Sequence, residues 1–549
     1  MKNIIARHSS IQITEYEPGE CEKIENTFSI FNRVNFSSTP LGMHYDEDTK
    51  ILYLPRGIDL DYLERVCGKE PIIDSKNTPY RVFDQPLMLK YLPRDETQEK
   101  LLRFMIGTGE YRYTRKHSQQ ALTASGGTGK TYISIATISY FSIVSAVITY
   151  SVNWLNQWKG FFLQYTDIRE REIKLVNSSV TINRFLKNPE LANKYKIFLF
   201  THNTLKSYAD NNGWDKITKL FEILGIGLKF YDECHQNFTN TTMIDFYTNV
   251  YKTYYVTGTL NRSSEEEDRI FGLYFKNVAR IELFDEDNDP HTEYIAIKYY
   301  SNPTAQQMSK CKNMYGLDRN AYANYVVRQD NFKRAMRVLL DLFVFKLYGK
   351  ALFFIGTNDA IQYVYDWLIQ EYPELNGDIG IYTSLTNGKN KKEQLEKKII
   401  LSTTKSCGLA MDIKGLRLSA IVAEPFKSTV LARQTLWRTR DANTFCIELV
   451  DMSFSQCRKF YYNKRQIIDK YSTEMTQSSF SNQELEYKSD TIINNRQEYY
   501  NNSFIINPVT NIEQPKMQRV VSLVDNRQSQ NVVSTISRYK EYKGFKKKE

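Results

Sequence analysis

Glycines alternate with small polar residues in Ala124-Ser125-Gly126-Gly127-Thr128-Gly129-Lys130-Thr131, ahead of an uncharged, helix-prone segment at 132–140. Glycines permit a tight backbone whose N–H groups point at phosphates, and a following helix presents its positive end to them. In such loops the lysine adds charge for the β- and γ-phosphates, and the hydroxyl after it is a ligand for Mg²⁺. We therefore predict that a nucleotide is bound through Ser125, Gly126, Gly127, Thr128, Gly129, Lys130 and Thr131, with Thr131 also at the metal.

A pair of adjacent carboxylates ends an apolar run in Leu228-Lys229-Phe230-Tyr231-Asp232-Glu233-Cys234-His235. In phosphoryl-transfer sites such carboxylates hold Mg²⁺ and prepare the attacking water. Asp232 is predicted to hold Mg²⁺ through water, and Glu233 to orient and deprotonate the nucleophile. Either motif alone is also compatible with an ordinary turn. Their order, spacing and strand context together predict a nucleoside triphosphatase.

The composition is that of a large protein with well-formed cores and a basic balance. A length of 549 residues predicts several domains, and a hydrophobic fraction of 41% excludes global disorder. The net charge of +10 favours an anionic partner such as nucleic acid. Seven cysteines without a Cys-x-x-Cys spacing predict neither a disulfide framework nor a structural zinc site, and they favour a reducing compartment.

No segment is predicted to enter a membrane or to direct secretion. Residues 132–152 carry no charge, but they begin at the glycine-rich loop and are rich in Ser, Thr and Tyr, so a helix followed by a buried strand explains them. The N-terminus lacks the apolar core of a signal peptide. We expect a location in the cytoplasm or inside a host cell, since the richness in Asn, Lys, Ile and Tyr is typical of an A+T-rich viral or phage genome.

Short β-rich runs alternate with helical patterns in two parts of the chain. The strands predicted in the first part are 146–150, 196–201, 228–231 and 253–257. In the second part, after a helical bridge rich in Lys and Arg at 303–348, they are 351–355, 379–382, 398–402, 420–423 and 445–450. Such alternation forms βαβ units, so each part is predicted to be an α/β domain with a parallel sheet, over 90–285 and 286–470.

The two ends of the chain differ from these parts. Residues 1–89 carry turn signals around a strand at 51–54 and a short helix at 60–66, which predict a small α+β accessory domain. Residues 471–549 are rich in Ser, Asn and Gln and close on Lys546-Lys547-Lys548. This region is predicted to be a polar extension that is partly disordered or accessory.

Further blocks resemble, in order, those of superfamily 2 helicases, which implies a fold of two tandem RecA-like motor domains. Leu92-Pro93-Arg94-Asp95-Glu96-Thr97-Gln98 is similar to the block whose Gln recognises adenine, so Gln98 is implied to contact the base. An amide suits this task because it both donates and accepts on one base edge. The alternative is a surface Gln on a helix. The resemblance also places His235 with the residues that bind the nucleotide.

Other blocks resemble those with which these helicases contact nucleic acid. Leu155-Asn156-Gln157-Trp158 is similar to the Leu-x-Gln-Trp block of XPB-like and chromatin-remodeller-like members, with Trp158 in the core and the contacts in the turn before the block. Residues 200–203 resemble the block that touches a strand phosphate, residues 257–262 the block that links hydrolysis to strand binding, and residues 402–413 a block that contacts DNA and ribose. The contacts implied are Ser151, Thr201, Thr257, Thr259 and Thr404.

Gln434-Thr435-Leu436-Trp437-Arg438-Thr439-Arg440 resembles the Gln-x-x-Gly-Arg-x-x-Arg block that supplies an arginine finger. A finger brings positive charge to the γ-phosphate as it leaves. The resemblance implies catalytic roles for Gln434 and Arg438, whose spacing is kept, and Arg440 is the alternative finger.

The resemblance spans about residues 90–455 and points to the group that holds XPB, the T-even phage branched-DNA helicase and the poxvirus transcript-release helicase. It implies ATP and Mg²⁺ as cofactors and nucleic acid as partner, with DNA favoured and with replication, recombination or transcription proteins as further candidates. The predicted function is ATP hydrolysis at the cleft between two motor domains, which drives movement along DNA and its unwinding or remodelling. The alternatives are a duplex translocase that does not separate strands, an RNA helicase, and an ATP-driven switch on a protein complex.

Overall fold

The computed structural model describes residues 1–32, 37–124, 127–258, 265–283, 292–314, 316–346, 349–386, 390–407, 413–436 and 444–494. The predicted contacts at Ser125, Gly126, Thr259, Arg438 and Arg440 lie outside these residues. Of Gln434 the backbone alone is described, within a helix. Across the ranges described, no helix has both the length and the hydropathy needed to cross a membrane.

The N-terminal part is a small α+β unit. It contains β1 (Ile4–Ala6), β2 (Ser10–Ile13), β3 (Ser29–Asn32), β4 (Ser37–Pro40), β5 (His44–Asp46), β6 (Ile51–Pro55) and β7 (Pro71–Ile73), with helices α1 (Glu22–Thr27) and α2 (Leu60–Cys67). The main sheet has the order β5-β6-β2-β1-β7, and β3 pairs with β4 apart from it. Asp59 caps α2 by accepting a hydrogen bond from the backbone N–H of Asp61, which fixes where the helix begins.

This unit shares one hydrophobic core with the α/β domain that follows it. The ring of Tyr53 on β6 stacks on Phe246 with centroids 5.8 Å apart, and it lies 4.8 Å from the ring of Tyr247. The hydroxyl of Tyr247 donates to Oδ2 of Asp46 at 2.9 Å. The N-terminal sheet therefore packs directly on a helix of the first α/β domain.

The first α/β domain is built on a parallel sheet. The described residues form β8 (Gln119–Ala124), β9 (Ser145–Thr149), β10 (Ile173–Val176), β11 (Ile197–Thr201), β12 (Leu228–Asp232), β13 (Lys252–Thr257) and β14 (Ala279–Leu283), in the order β10-β11-β9-β12-β13-β8-β14. The helices are α3 (Glu96–Ile106), α4 (Lys130–Phe141), α5 (Val152–Tyr165), α6 (Ser179–Lys187), α7 (His202–Asn212), α8 (Asp215–Leu224), α9 (Phe238–Tyr247) and α10 (Glu265–Tyr274). Strands β8, β9, β11 and β13 are buried along their whole length, as parallel strands covered on both faces are.

Each strand predicted in this domain is present, with ends that differ by at most one residue. Strand β8, which leads into the phosphate loop, is not predicted because its sequence begins with two polar residues. The structure buries both of them: the amide of Gln119 donates to the hydroxyl of Tyr255 at 2.8 Å, and the amide of Gln120 donates to the carbonyl of Thr114 at 2.9 Å. Hydropathy alone does not reveal a buried strand whose polar groups find partners inside.

The second α/β domain repeats this plan. Its strands are β15 (Thr292–Tyr299), β16 (Lys312–Asn313), β17 (Gly316–Leu317), β18 (Lys350–Ile355), β19 (Ile379–Tyr382), β20 (Ile399–Ser402), β21 (Leu416–Ala423), β22 (Thr444–Asp451) and β23 (Met475–Ser479). Its helices are α11 (Ala305–Lys310), α12 (Arg319–Val326), α13 (Asp330–Leu339), α14 (Asn358–Glu371), α15 (Lys391–Glu396), α16 (Thr404–Cys407), α17 (Thr429–Leu436), α18 (Ser455–Tyr471) and α19 (Asn482–Asn494). The parallel sheet has the order β19-β20-β18-β21-β22-β15-β23. The predicted fold class, two RecA-like parallel-sheet domains after an α+β unit, is confirmed.

The second domain continues beyond the predicted boundary at residue 470. Strand β23 pairs in parallel with β15, from Tyr294 opposite Met475 to Lys298 opposite Ser479. Helix α19 packs against α13, and its Leu485 is fully buried in the core of the domain. The first part of the predicted polar extension is therefore an edge strand and a covering helix, and residues 495–549 lie outside the described ranges.

A chain that ends at residue 470 is expected to unfold at a lower temperature than one that ends at residue 494. The shorter chain loses β23, which covers the edge of β15, and the buried Leu485, whose removal alone costs roughly 2–5 kcal/mol by analogy with core truncations. The unfolding midpoints of the two chains, measured beside the full-length protein, check this. Equal midpoints would show that β23 and α19 add nothing to the domain.

Candidate active site

Three neighbouring strands of the first sheet bring the predicted nucleotide-binding residues together at the carboxyl ends of the strands, the side called the nucleotide edge below. Strands β12, β13 and β8 are parallel neighbours, with Asp232 opposite Val256 and Thr257 opposite Thr123. The phosphate loop follows β8, and the paired carboxylates follow β12. Ligands of open parallel sheets bind beyond the carboxyl ends of the strands. The topology therefore supports a site at this edge.

The described part of the glycine-rich loop has the backbone of a phosphate cradle. Gly127 and Gly129 both have a φ of 87°, in the left-handed region that favours glycine. No described atom lies within 4 Å of the place that a Cβ on Gly127 would occupy, so this face of the loop is open. Helix α4 begins at Lys130, and its first N–H groups point toward the loop, as helix starts do.

Lys130 connects the loop with the carboxylates. Its Nζ donates to the carbonyl oxygen of Ala124 at 2.8 Å, at the start of the loop. Burial raises the pKa values of Asp232 and Glu233, and the charge of Lys130 acts on both carboxyls in the opposite direction. A cation placed here also faces the phosphates of a nucleotide in the loop.

Asp232 is oriented by a tryptophan. The indole N–H of Trp158 on α5 donates to Oδ2 of Asp232 at 2.8 Å, and the Trp158 side chain is buried. Burial raises the pKa of Asp232 and the neighbouring charge of Glu233 raises it further, whereas the hydrogen bond from Trp158 lowers it. The sequence predicts Trp158 as a core residue, which it is, but gives no sign of this bond between α5 and β12.

Glu233 is held by the turn that follows β13. Its Oε2 accepts hydrogen bonds from the backbone N–H of Gly258 and the hydroxyl of Thr257, each at 3.3 Å, and lies 3.3 Å from Nδ1 of His235. Burial raises the pKa of Glu233, but the hydrogen bond and charge of His235, together with the charge of Lys130, outweigh it and leave the pKa below its usual range. The φ of Glu233 is 50°, a strained value for a non-glycine residue. These contacts hold Glu233 in place and favour its ionised form.

His235 and Thr257 lie in the carboxylate network. Nδ1 of His235 is 2.7 Å from the hydroxyl of Thr257, and both side chains are buried. Since the hydroxyl of Thr257 donates to Glu233, it accepts from His235. His235, predicted to bind the nucleotide, and Thr257, predicted to bind nucleic acid, therefore contact each other. This contact joins the carboxylate loop to the end of β13.

Gln98 lies against the phosphate loop. Its Nε2 donates to the carbonyl of Thr128 at 3.1 Å, and its Oε1 accepts from the backbone N–H of Arg94 at 2.9 Å. A Cβ added to Gly129 would stand 2.3 Å from Nε2 of Gln98, so this approach and the positive φ of the residue both favour glycine. Because Gln98 is buried, the alternative of a surface residue on α3 does not hold.

The residues predicted to contact nucleic acid differ in their surroundings. Ser151 precedes α5 and is partly exposed. Thr201 is buried and caps α7, its hydroxyl accepting from the backbone N–H of Thr204 at 3.1 Å. Thr404, in the second domain, is also buried, and its hydroxyl donates to Glu424, which accepts the Thr404 backbone N–H at 2.8 Å. The hydroxyl of Thr201 therefore caps a helix and that of Thr404 binds a carboxylate, roles that the sequence pattern does not reveal.

Asn153 joins the two α/β domains at the start of α5. Its Nδ2 donates to the hydroxyl of Tyr382 at 3.3 Å, and its Oδ1 accepts from Nζ of Lys391 at 3.1 Å. The ammonium group of Lys391 lies 5.7 Å from the centroid of the Tyr382 ring. Tyr382 ends β19 and Lys391 begins α15, so the turn at Ser151 faces the carboxyl end of a strand in the second sheet.

The donors at the edge of the first sheet fit a magnesium ion bound with a nucleotide. The hydroxyl of Thr131, in the first turn of α4, and the carboxylate of Asp232 are the oxygen ligands that Mg²⁺ prefers. Mg²⁺ keeps several waters and takes phosphate oxygens of the substrate, so few protein ligands are needed.

Comparison with known proteins gives a family match in this region. Residues 92–262 match the family model described as "Type III restriction enzyme, res subunit". Among solved structures, Dbp5 from S. cerevisiae bound to RNA and ADP BeF3 is 13% identical with a TM-score of 0.49, over 74% of this chain and 93% of that one. UvsW from T4 is 12% identical with a TM-score of 0.33, over 87% of this chain and 99% of that one. No curated protein sequence matches the chain.

The matched residues contain the phosphate loop, both carboxylates and the turn after β13. The family match and the geometry of these groups together support an ATP-dependent enzyme of the superfamily 2 helicase and nucleoside triphosphatase class, acting on nucleic acid.

Proposed function

We propose that this chain is an ATP-dependent DNA helicase of the branch that holds XPB and the phage and poxvirus helicases, and that it moves along DNA as it hydrolyses ATP between its two motor domains. The observation that carries this proposal is the position of Glu233. Its pKa is held below the usual range by His235 and by the charge of Lys130 at the end of the phosphate loop, and the turn after β13 holds it in place. A base fixed in this way suits the activation of water for attack on the γ-phosphate.

Each polar group at the edge has a task in this reaction. Lys130 binds the β- and γ-phosphates, and Gln98 contacts the adenine base. Thr131 and Asp232 hold Mg²⁺, which neutralises charge on the phosphates when it is bound with ATP. Glu233 orients the attacking water and takes its proton.

The second domain completes the site in this proposal. Arg438 brings positive charge to the γ-phosphate, with Arg440 as the alternative finger, and Gln434 has a catalytic role in the same block. The contact of Asn153 with Tyr382 and Lys391 supports a closed arrangement in which the first domain faces the second at the proposed strand-binding turns. Closure on ATP and opening after hydrolysis move the two domains along a strand.

DNA contacts in this proposal are made mainly to phosphates. Ser151, Thr201, Thr259 and Thr404 contact the strand, and Thr257 links strand binding to Glu233. The net charge of +10 favours such an anionic partner. Binding is therefore independent of sequence and weakens as salt rises.

The test compares ATPase rates without nucleic acid and with single-stranded DNA, duplex DNA, forked DNA and RNA of equal length. We expect the largest stimulation by DNA, and separation of a forked duplex when ATP is present. Stronger stimulation by RNA would make this an RNA helicase, and triplex displacement without strand separation would make it a duplex translocase. No stimulation by any nucleic acid would contradict the proposal and favour a switch on a protein complex.

Replacement of Trp158 by Phe is expected to raise the Mg²⁺ concentration needed for half-maximal ATPase activity by roughly 10- to 100-fold, as loss of a group that orients a metal ligand does. Phe keeps most of the packing but removes the N–H that donates to Asp232. The measurement is ATPase rate against Mg²⁺ at saturating ATP.

The matched control for this variant is Trp154→Phe. Trp154 is also buried on α5, one turn earlier, where its ring contacts Tyr150. The same Mg²⁺ dependence in both variants would show that packing on α5, and not the bond to Asp232, is responsible.

A further inference from the structure

His202 is a buried histidine that the proposed reaction does not use. Its Nδ1 lies 3.0 Å from the carbonyl oxygen of Thr149, and its Nε2 lies 3.1 Å from the hydroxyl of Thr241. A carbonyl oxygen only accepts, so Nδ1 carries the hydrogen and donates. Burial lowers the pKa of His202 to about 4, so the ring is neutral at physiological pH and Nε2 accepts from Thr241.

The partners of His202 lie on three segments of the first motor domain. Thr149 ends β9, and its hydroxyl donates to the carbonyl of Ser151, just before α5. His202 itself begins α7, directly after the cap residue Thr201, and Thr201 is the register partner of Thr149 in the sheet. Thr241 belongs to α9, the helix that follows the carboxylate loop. His202 therefore bridges both turns that we propose to contact DNA and the helix after Glu233.

The ring of His202 also rests on a rigid support. It stacks on Tyr231, the residue before Asp232, with centroids 5.7 Å apart and planes 17° from parallel. The hydroxyl of Tyr231 donates to Oδ1 of Asp245 at 2.8 Å, and Nζ of Lys229 lies 2.6 Å from the same oxygen. The side chains of Lys229 and Asp245 are wholly buried, and breaking such a pair is costly. Tyr231 is thus held firmly beneath His202.

We infer that His202 is a positioning residue that couples DNA binding to ATP hydrolysis. Its two hydrogen bonds hold the turns before α5 and α7 in a fixed place relative to α9, so that a strand bound on these turns acts on the segment that carries Asp232 and Glu233. This inference rests on the proposed function and deepens it, because it names the residue that connects the DNA-binding turns with the carboxylates in the first motor domain.

Three variants, called the bridge variants below, test the hydrogen bonds of His202 to Thr149 and Thr241. The amide of Asn can take the place of Nδ1, so H202N keeps the bond to Thr149 and loses the one to Thr241, whereas H202Q does the reverse. T241V removes the partner of Nε2 and leaves the histidine. For each variant we expect the DNA concentration at half-maximal ATPase stimulation to rise about tenfold, with basal turnover and the KM for ATP changed less than about twofold, since one buried hydrogen bond is lost away from the nucleotide.

His8 supplies the matched control. Its ring nitrogens also contact two backbone oxygens, that of Tyr251 just before β13 at 3.0 Å and that of Ser75 in the N-terminal unit at 2.8 Å. H8N and H8Q are expected to leave the DNA dependence of the ATPase at the wild-type value. Unfolding midpoints are recorded for all five variants, and T241V keeps the test decisive if a substitution of His202 prevents folding.

The outcomes separate the inference from the proposed function. If DNA stimulates the wild-type protein and all folded bridge variants respond as it does, the inference is overturned and the proposed function stands. An equal loss of basal and stimulated turnover, with a lower unfolding midpoint, would give His202 a structural role and would also overturn the inference. If no nucleic acid stimulates the wild-type protein, the proposed function fails, and the inference fails with it.

Discussion

Replacement of Lys130 by Ala is expected to abolish ATP hydrolysis, with a loss of roughly a thousandfold in turnover, the size of effect seen when a preorganised charge-stabilising group is removed from an active site. Lys130 is the one charged residue of the segment 124–131. It starts α4, and its ammonium group lies against the carbonyl of Ala124, within electrostatic reach of Asp232 and Glu233. Without it, the terminal phosphates lose their side-chain cation and the two carboxylates lose a neighbouring positive charge.

The measurement for this variant is phosphate release at saturating ATP and DNA. Lys187→Ala is the matched control, since it removes the same charge from the exposed end of α6. The control is expected to turn over at the wild-type rate. Normal turnover by the Lys130 variant would show that the phosphate loop is not the site of hydrolysis.

Replacement of Glu233 by Gln is expected to slow hydrolysis by roughly 10²- to 10⁴-fold, the contribution of a positioned general base, while ATP still binds. The amide oxygen of Gln can still accept from Gly258 and Thr257, so the shape of the site is kept. The charge of Glu233 helps to raise the pKa of Asp232, so its loss favours the ionised form of Asp232 that holds Mg²⁺. Binding and chemistry are therefore separated in this variant.

Equilibrium titration with ATP and single-turnover hydrolysis together measure the two effects. Glu222→Gln, at an exposed position on α8, is the control for loss of a carboxylate elsewhere in the same domain. If ATP affinity fell while each bound ATP was hydrolysed at the normal rate, the roles assigned to Asp232 and Glu233 would have to be exchanged.

The sequence predicts most of the central apolar strands, although β10 and β15 are also apolar and are not predicted. Strands β9, β11, β12 and β13 are runs of buried residues, and the pattern finds each of them. The pattern does not find β8 because the strand begins with Gln119 and Gln120, whose amide N–H groups donate to Tyr255 and Thr114 inside the protein. Strand β23 is hidden because an edge strand with exposed polar residues has the composition of an extension.

The sequence identifies the functional side chains of the site but not the hydrogen bonds between them. The spacing of glycines, Lys130 and the carboxylates identifies the nucleotide edge. The bond of Trp158 to Asp232 and the contact of His235 with Thr257 depend on which strands are neighbours, and sheet order is not written in local sequence. The hydroxyl of Thr201 caps α7, and the local sequence does not distinguish this use from contact with a ligand.

The core shared by the N-terminal unit and the first α/β domain has a consequence for how the two would move. Tyr53 and Asp46 contact α9, the helix that follows the carboxylate loop, and the accessory sheet shares one hydrophobic core with the first α/β domain. If the cleft closes on ATP as proposed, the N-terminal unit and the first α/β domain move together against the second domain. A ligand bound to the N-terminal sheet would then be displaced together with the half of the protein that carries the phosphate loop.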